Sequence, residues 1–175
     1  MSNILLFGSS GFIGSNTARQ LTSDGYNVLG CDIVTPTRYK NINHERVDVT
    51  NYTQVQHILT TFRPDYIYNF SAIIRTEECR LHSLRANDVN IKGMYNILEG
   101  CKHLPKLKRI FFPSTVHVYT DTDALCIENN TPHVNDPLHL YPANKLICEQ
   151  LTRSYNLLYG IPYTIFRYGI AYGIG

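Results

Sequence analysis

The stretch Asn3-Ile4-Leu5-Leu6-Phe7-Gly8-Ser9-Ser10-Gly11-Phe12-Ile13-Gly14 decides how this chain folds. An apolar run of strand length passes directly into three glycines spaced G-x-x-G-x-x-G. An amphipathic segment follows, with Ile13, Thr17, Ala18 and Leu21 on one side, so the order is strand, tight turn, helix. Glycines suit such a turn because side chains would hold the backbone away from a pyrophosphate. The helix that starts there offers unpaired N–H groups and a positive dipole end. A turn that is merely rich in small residues is the bland alternative. Context and a downstream acid favour a dinucleotide site. Asp32 closes the next apolar run, Tyr26-Asn27-Val28-Leu29-Gly30-Cys31, about 20 residues beyond the turn, where a carboxylate can accept hydrogen bonds from ribose hydroxyls. It would also repel a 2′-phosphate, so NAD is expected in preference to NADP.

The 175 residues are enough for one domain with a substantial core, and 43% hydrophobic and 17% charged content is that of a globular protein. Net charge is +2 with Lys and Arg scattered, which argues against a nucleic-acid partner. The five cysteines (Cys31, Cys79, Cys101, Cys126, Cys148) are odd in number, far apart and without a C-x-x-C pair. Reduced thiols fit them better than disulfides or zinc, and the seven histidines show no ligand spacing, so no metal is expected. The first strand begins at once, leaving no room for a signal sequence, and no apolar run approaches a membrane span. A cytoplasmic protein with no membrane partner is the expectation.

Strand and helix patterns then alternate. Asp24-Gly25 stops the first helix. Ile33 to Glu45 has no period and contains Pro36, which reads as a loop, and Arg46-Val47-Asp48-Val49 reads as a short strand. Asn51 and Gln54 stand in capping-box spacing ahead of a helix carrying Val55, Ile58, Leu59 and Phe62. Tyr66 to Ala72 is a strand ending in small residues, which let a ligand approach the backbone. A helix is expected from near Ser83 to Cys101. Asn90 falls inside it, either buried and bonded to backbone or touching a cofactor. Arg109-Ile110-Phe111-Phe112 is a strand ending at Pro113-Ser114-Thr115, Asp121 to Leu140 a surface loop, Tyr141 to Tyr159 a helix stopped by Gly160, and Tyr163 to Arg167 the last strand. Such alternation means parallel βαβ units and a doubly wound α/β sheet.

Chemistry on a bound cofactor needs an acid or base, and Tyr141 with Lys145 is the candidate pair. Residues at i and i+4 share a helix face, and an ammonium beside a phenol should pull its pKa down. Thr115, ending a core strand at the sheet's carboxyl edge, can hydrogen-bond the reacting oxygen.

The chain resembles the extended short-chain dehydrogenases/reductases of the NAD-dependent epimerase/dehydratase family, which act on nucleotide sugars. The segments that carry the resemblance are Gly8-Ser9-Ser10-Gly11-Phe12-Ile13-Gly14, Asp32, Asp48-Val49-Thr50, Asn69-Phe70-Ser71-Ala72, Val89-Asn90-Ile91-Lys92-Gly93, Ser114 to Tyr119, Tyr141-Pro142-Ala143-Asn144-Lys145 and Arg167-Tyr168-Gly169. The resemblance implies a Rossmann-type, three-layer α/β/α fold over residues 1–175, without the family's C-terminal substrate domain. It puts Gly8, Gly11, Phe12, Ile13 and Gly14 at the pyrophosphate of NAD, and Asp32 at the adenosine ribose. Asp48 and Val49 would sit at the adenine edge, Ser71 and Ala72 beside the cofactor, and Gly169 near the nicotinamide. Thr115, Tyr141 and Lys145 would be catalytic, with Tyr141 and Lys145 also touching the cofactor, and a homodimer is implied through the helices after Asp88 and after Tyr141.

Departures from the family pattern narrow the reading. Asn69 stands for the usual His, Thr120 for Gly, Ile170 for Asn, and Pro142 falls within the Tyr-x-x-x-Lys segment. Val116 and His117 occupy the positions where dehydratases carry Asp-Glu, which disfavours a dehydratase. The expected activity is a nucleotide-sugar 4-epimerase working through a keto intermediate. A reductase or dehydrogenase, and a non-catalytic NAD-binding module, are the alternatives.

Overall fold

The computed structural model describes residues 1–36, 42–119 and 139–173. Six strands, β1 (Asn3–Phe7), β2 (Asn27–Asp32), β3 (Asn43–Arg46), β4 (Tyr66–Asn69), β5 (Arg109–Thr115) and β6 (Tyr163–Tyr168), form one sheet in the order β3-β2-β1-β4-β5-β6. Every neighbouring pair is parallel. Strand order reverses at β1, whose Leu5 pairs with Leu29 on one side and Ile67 on the other. In open α/β sheets that reversal opens a crevice at the strands' carboxyl ends.

The helices are α1 (Phe12–Ser23), α2 (Tyr52–Phe62), α3 (Thr76–Leu81), α4 (Ser83–Asn87), α5 (Gly93–Cys101) and α6 (Leu140–Tyr159). Alternation along β1 assigns them to layers. Ile4 and Leu6 pack with Ala18 of α1 and Val28 on one face. Leu5 and Phe7 pack on the other with Val55 and Leu59 of α2, Ile97 and Leu98 of α5, and Cys148 of α6. Leu5, Leu6 and Phe7 are completely buried, so truncating any of them to alanine should cost about 2–5 kcal/mol.

On the α1 side, strands β4, β5 and β6 carry Tyr66, Tyr68, Phe111, Phe166 and Tyr168 as a row of stacked rings, their planes 10–30° from parallel and their centroids 4.4–6.3 Å apart from ring to ring. Phe166 and Tyr168 are each 38% exposed.

Several local readings are corrected. The third strand lies over Asn43–Arg46, because its partner β2 ends at Asp32 opposite Arg46, and Val47-Asp48-Val49 lead away from the sheet. The helix expected from Ser83 to Cys101 contains a π-helical turn over Asp88–Lys92. Another helix, α3, precedes it with Glu77 and Glu78 in its first turn, where carboxylates suit the dipole. Asn51 caps α2 by accepting from the Gln54 amide at 3.2 Å. Gln54 in turn accepts from the Asp48 amide at 2.8 Å, so the reciprocal half of the capping box goes elsewhere. Of the loop read at Asp121 to Leu140, residues 121–138 lie outside the described residues, as does Cys126, and Leu140 opens α6. Cys31, Cys79, Cys101 and Cys148 are buried free thiols.

Candidate functional site

The glycine turn leaves β1 at the switch point. Gly8 has φ +75, and a Cβ there would lie 2.5 Å from backbone atoms of Phe70 and Ser71. A Cβ on Gly14 would come 2.1 Å from the Gly8 carbonyl oxygen. These two glycines are demanded by the protein's own backbone. Gly11 is different: its φ of −73 suits any residue, and a Cβ would meet only the Gly8 oxygen at 3.4 Å. Its missing side chain keeps open the space before α1, as a phosphate approaching the backbone would require. Gly11 caps α1 without any side-chain hydrogen bond, and the first turn carries no acid. The amides of Phe12, Ile13 and Gly14 have no intrahelical acceptor and stand at the positive dipole end. The turn is therefore a fit for a pyrophosphate.

Asp32 is tied to this turn. Its Oδ2 accepts from the Ser10 amide at 3.0 Å and its Oδ1 from the Val34 amide at 3.1 Å. A carboxylate has about four acceptor sites, so each oxygen keeps capacity for a ribose hydroxyl.

Two clefts flank the turn and share Gly8, Gly11, Phe70 and Ala72. The first, about 200 Å³, is walled by Asp32, Asp48, Val49, Ser71, Ile73 and Arg85 among others. It contains the residues expected at the adenosine end. Asp48 uses Oδ1 within its own turn, accepting from the Thr50 amide and hydroxyl at 2.9 and 2.8 Å. The Ser71 hydroxyl donates to Asn69, so it is engaged inside the protein. Arg85 on α4 was not anticipated, since a single exposed arginine in a helix carries no motif.

Asn90 lies outside both sets of lining residues. Its Oδ1 accepts from the Ile73 amide at 2.8 Å and its Nδ2 donates to the Ile73 carbonyl at 2.9 Å. This is the backbone-bonded alternative of the sequence reading, and it orders the loop after β4 that lines the first cleft.

The second cleft, about 430 Å³, brings together Phe12, Ile13 and Gly14 of the turn with Thr115, Tyr141 and Lys145, and adds His117 and the segment Tyr168-Gly169-Ile170. Thr115 Oγ1 accepts from the His117 amide at 3.2 Å, which leaves its proton available for donation. Lys145 is buried and donates to the Pro113 carbonyl at 2.8 Å, with its ammonium 4.8 Å from the Phe112 ring centroid and 5.8 Å from that of Tyr141. Burial pulls the Lys145 pKa down to about 8, against a smaller opposing effect of Cys148.

The expectation that Lys145 lowers the Tyr141 pKa is corrected for the free protein. Burial, and secondarily Cys79, push it above its ordinary value. Desolvation of the phenolate outweighs an ammonium that is directed at a carbonyl.

A parallel sheet reversing at a glycine-gated turn, with an acid on the second strand and a Thr-Tyr-Lys cleft alongside, is the arrangement of a dinucleotide-binding α/β protein. The sequence profile of the NAD dependent epimerase/dehydratase family matches residues 4–175, and the chain belongs to that family of enzymes, whose cofactor is NAD. Among similar proteins, a putative UDP-glucose 4-epimerase of Methanocaldococcus jannaschii is 30% identical over 97% of this chain and 56% of its own length. Protein CapI of Staphylococcus aureus is 28% identical over 97% of this chain and 54% of its own. The UDP-glucose 4-epimerase of Thermotoga maritima, solved with UDP-glucose, superposes with a TM-score of 0.89 at 26% identity, covering 98% of this chain and 56% of that one. That of Thermus thermophilus, solved with NAD, gives 0.85 at 26% identity over 95% and 55%. The chain spans about half the length of the curated relatives it matches.

Proposed function

We propose that residues 1–175 form one domain that binds NAD and carries the proton-transfer groups of a nucleotide-sugar 4-epimerase. The observation that carries this reading is the lining of the second cleft. Thr115, Tyr141 and Lys145 line it together beside the glycine turn, and among the described residues that line it there is no carboxylate. Such a cleft can pass a proton to and from a sugar hydroxyl, and Val116 and His117 stand where a dehydratase of the family would carry Asp and Glu. The names of the similar proteins support the same class.

In this mechanism the amides of Phe12, Ile13 and Gly14 hold the pyrophosphate, and Asp32 holds the adenosine ribose. Bound NAD supplies a reversible hydride acceptor and a cationic ring that favours tyrosinate. Tyr141 takes the proton of the C4 hydroxyl, Thr115 donates a hydrogen bond to the same oxygen, and Lys145 keeps a positive charge near the phenol. Once the keto sugar has turned over and the hydride taken from C4 has gone back to its opposite face, Tyr141 returns the proton, and the net redox change is zero. A second copy of the chain is expected to pack on α5 and α6. These two helices touch through Tyr95 and Tyr155, and they leave Tyr95, Ile147 and Leu157 exposed. The expected compartment is the cytoplasm, and among the described residues no helix is long and apolar enough to cross a membrane.

The test mixes NAD-loaded protein with UDP-glucose and separates the C4 epimers. Tyr141→Phe should lower the rate at least about 100-fold, the usual contribution of general acid–base catalysis. A rate within about tenfold of wild type would remove Tyr141 from the mechanism. Steady NADH consumption with a 4-keto sugar nucleotide would instead identify a reductase.

A further inference from the structure

Behind the second cleft lies a buried charge cluster that the mechanism leaves unused. Glu149 of α6 is completely buried, yet its carboxylate takes four donors. Oε1 accepts from the Ser114 hydroxyl at 2.6 Å and Arg167 Nε at 2.9 Å. Oε2 accepts from Arg167 Nη2 at 2.8 Å and Arg153 Nη2 at 3.0 Å. Arg167 Nη1 also bonds the Tyr119 hydroxyl, and the guanidinium lies 4.7 Å above the Tyr119 ring. Burial alone would raise the Glu149 pKa, but the bonds from Arg167 and Ser114 outweigh it and hold it below the ordinary value.

The partners of this ion pair are placed unevenly. Ser114 immediately precedes Thr115, and Tyr119 immediately follows the 3₁₀ turn Val116–Val118. The two residues bracket the segment that presents Thr115 and His117 to the cleft, and both are fastened to one Glu149–Arg167 pair. Ser114 and Arg167 are also register partners across β5 and β6. A buried ion pair is a poor way to gain stability, since apolar residues of the same volume commonly do as well or better.

We propose that the Glu149–Arg167 pair is a clamp that positions the Thr115–Val118 turn for proton transfer. Glu149 and Arg167 act through Ser114 and Tyr119, and neither touches the substrate. The proposal rests on Thr115 serving the reaction assigned above, so its primary test does not depend on turnover.

Two amides report the geometry of the turn: His117 N–H, bonded to Thr115 Oγ1, and Tyr119 N–H, bonded to the Val116 carbonyl at 3.0 Å. In Glu149→Gln the shape stays and the charge goes. Hydrogen exchange at these two amides should speed up about tenfold, while amides of β1 and α1 stay within about twofold of wild type. NAD affinity should also stay within about twofold, and kcat for UDP-glucose should fall about tenfold. Unchanged exchange at the turn, or equal acceleration throughout the protein, would overturn the clamp. Should Glu149→Gln fail to fold, Tyr119→Phe decides the matter. It keeps the ring under Arg167, and it should accelerate the same two amides about two- to fivefold. No change there overturns the proposal. Wild-type protein that binds NAD but turns over no sugar nucleotide would defeat the functional reading while leaving the exchange result to judge the clamp.

Discussion

Replacing Gly11 by alanine should separate ligand binding from folding at a single atom. Gly11 sits at φ −73 and ψ 172, conformations open to all residues. Alanine there stiffens the unfolded chain for a gain of about 0.4–1 kcal/mol, and loses a similar amount as a poorer helix cap than glycine. The added methyl meets only the Gly8 oxygen at 3.4 Å. Net stability should therefore move by under about 1 kcal/mol, or a Tm shift within about 4 °C for a chain of this size. The same methyl stands in the wall of both clefts, before the amides of Phe12 to Gly14. Each hydrogen bond from those amides to a charged phosphate is worth about 1.5–3 kcal/mol. Losing one weakens NAD binding about 10- to 150-fold. Gly14→Ala is the contrasting control, because its Cβ would lie 2.1 Å from the Gly8 carbonyl oxygen. It should cost more than about 3 kcal/mol of stability. Thermal unfolding and calorimetric titration with NAD read both quantities. An affinity for NAD unchanged to within about threefold in Gly11→Ala would refute the reasoning.

Two other variants test the charges around the cofactor. Lys145 has a folded-state pKa near 8, below its unfolded value of about 10.4, so the unfolded chain binds more protons between those values and wild-type stability rises with pH there. Relative to Lys145→Met, the wild type should gain about 3 kcal/mol from pH 8 to pH 10.5, read from urea unfolding at each pH, and a flat difference would contradict the buried ammonium. Asp32→Asn keeps the acceptor for the Ser10 amide but removes the negative charge facing a 2′-phosphate. Titration should show the preference for NAD over NADP narrowing by about tenfold, and an unaltered preference would free Asp32 from that role.

The glycine turn, Asp32 and the Tyr141–Lys145 pair were legible in the sequence because each depends on local spacing. Gly8, Gly11 and Gly14 follow one strand and open one helix, and Tyr141 and Lys145 are neighbours on any helix. What spacing does not carry is depth. The phenol of Tyr141 answers to burial between elements far apart in sequence, so its pKa moves opposite to the pairwise expectation. Asn90 is spent on Ile73 for the same reason, since its partner comes from the loop after β4. Arg167 stands out in the sequence only as part of the Arg167-Tyr168-Gly169 segment, and its pairing with Glu149 emerges when α6 is laid against β6. Arg85 lines the first cleft from α4, and no local spacing in the sequence ties it to the glycine turn.

The ion pair also has a bearing on the charge carried by the last strand. Among the described residues β6 pairs only with β5. Tyr163-Thr164-Ile165-Phe166-Arg167-Tyr168 has the β-branched and aromatic make-up, free of proline and glycine, that templates fibril-like stacking. Its one charge, Arg167, is turned inward to Glu149 and repels nothing. Loss of the Glu149 partner would release that charge from the pairing and return it to the strand.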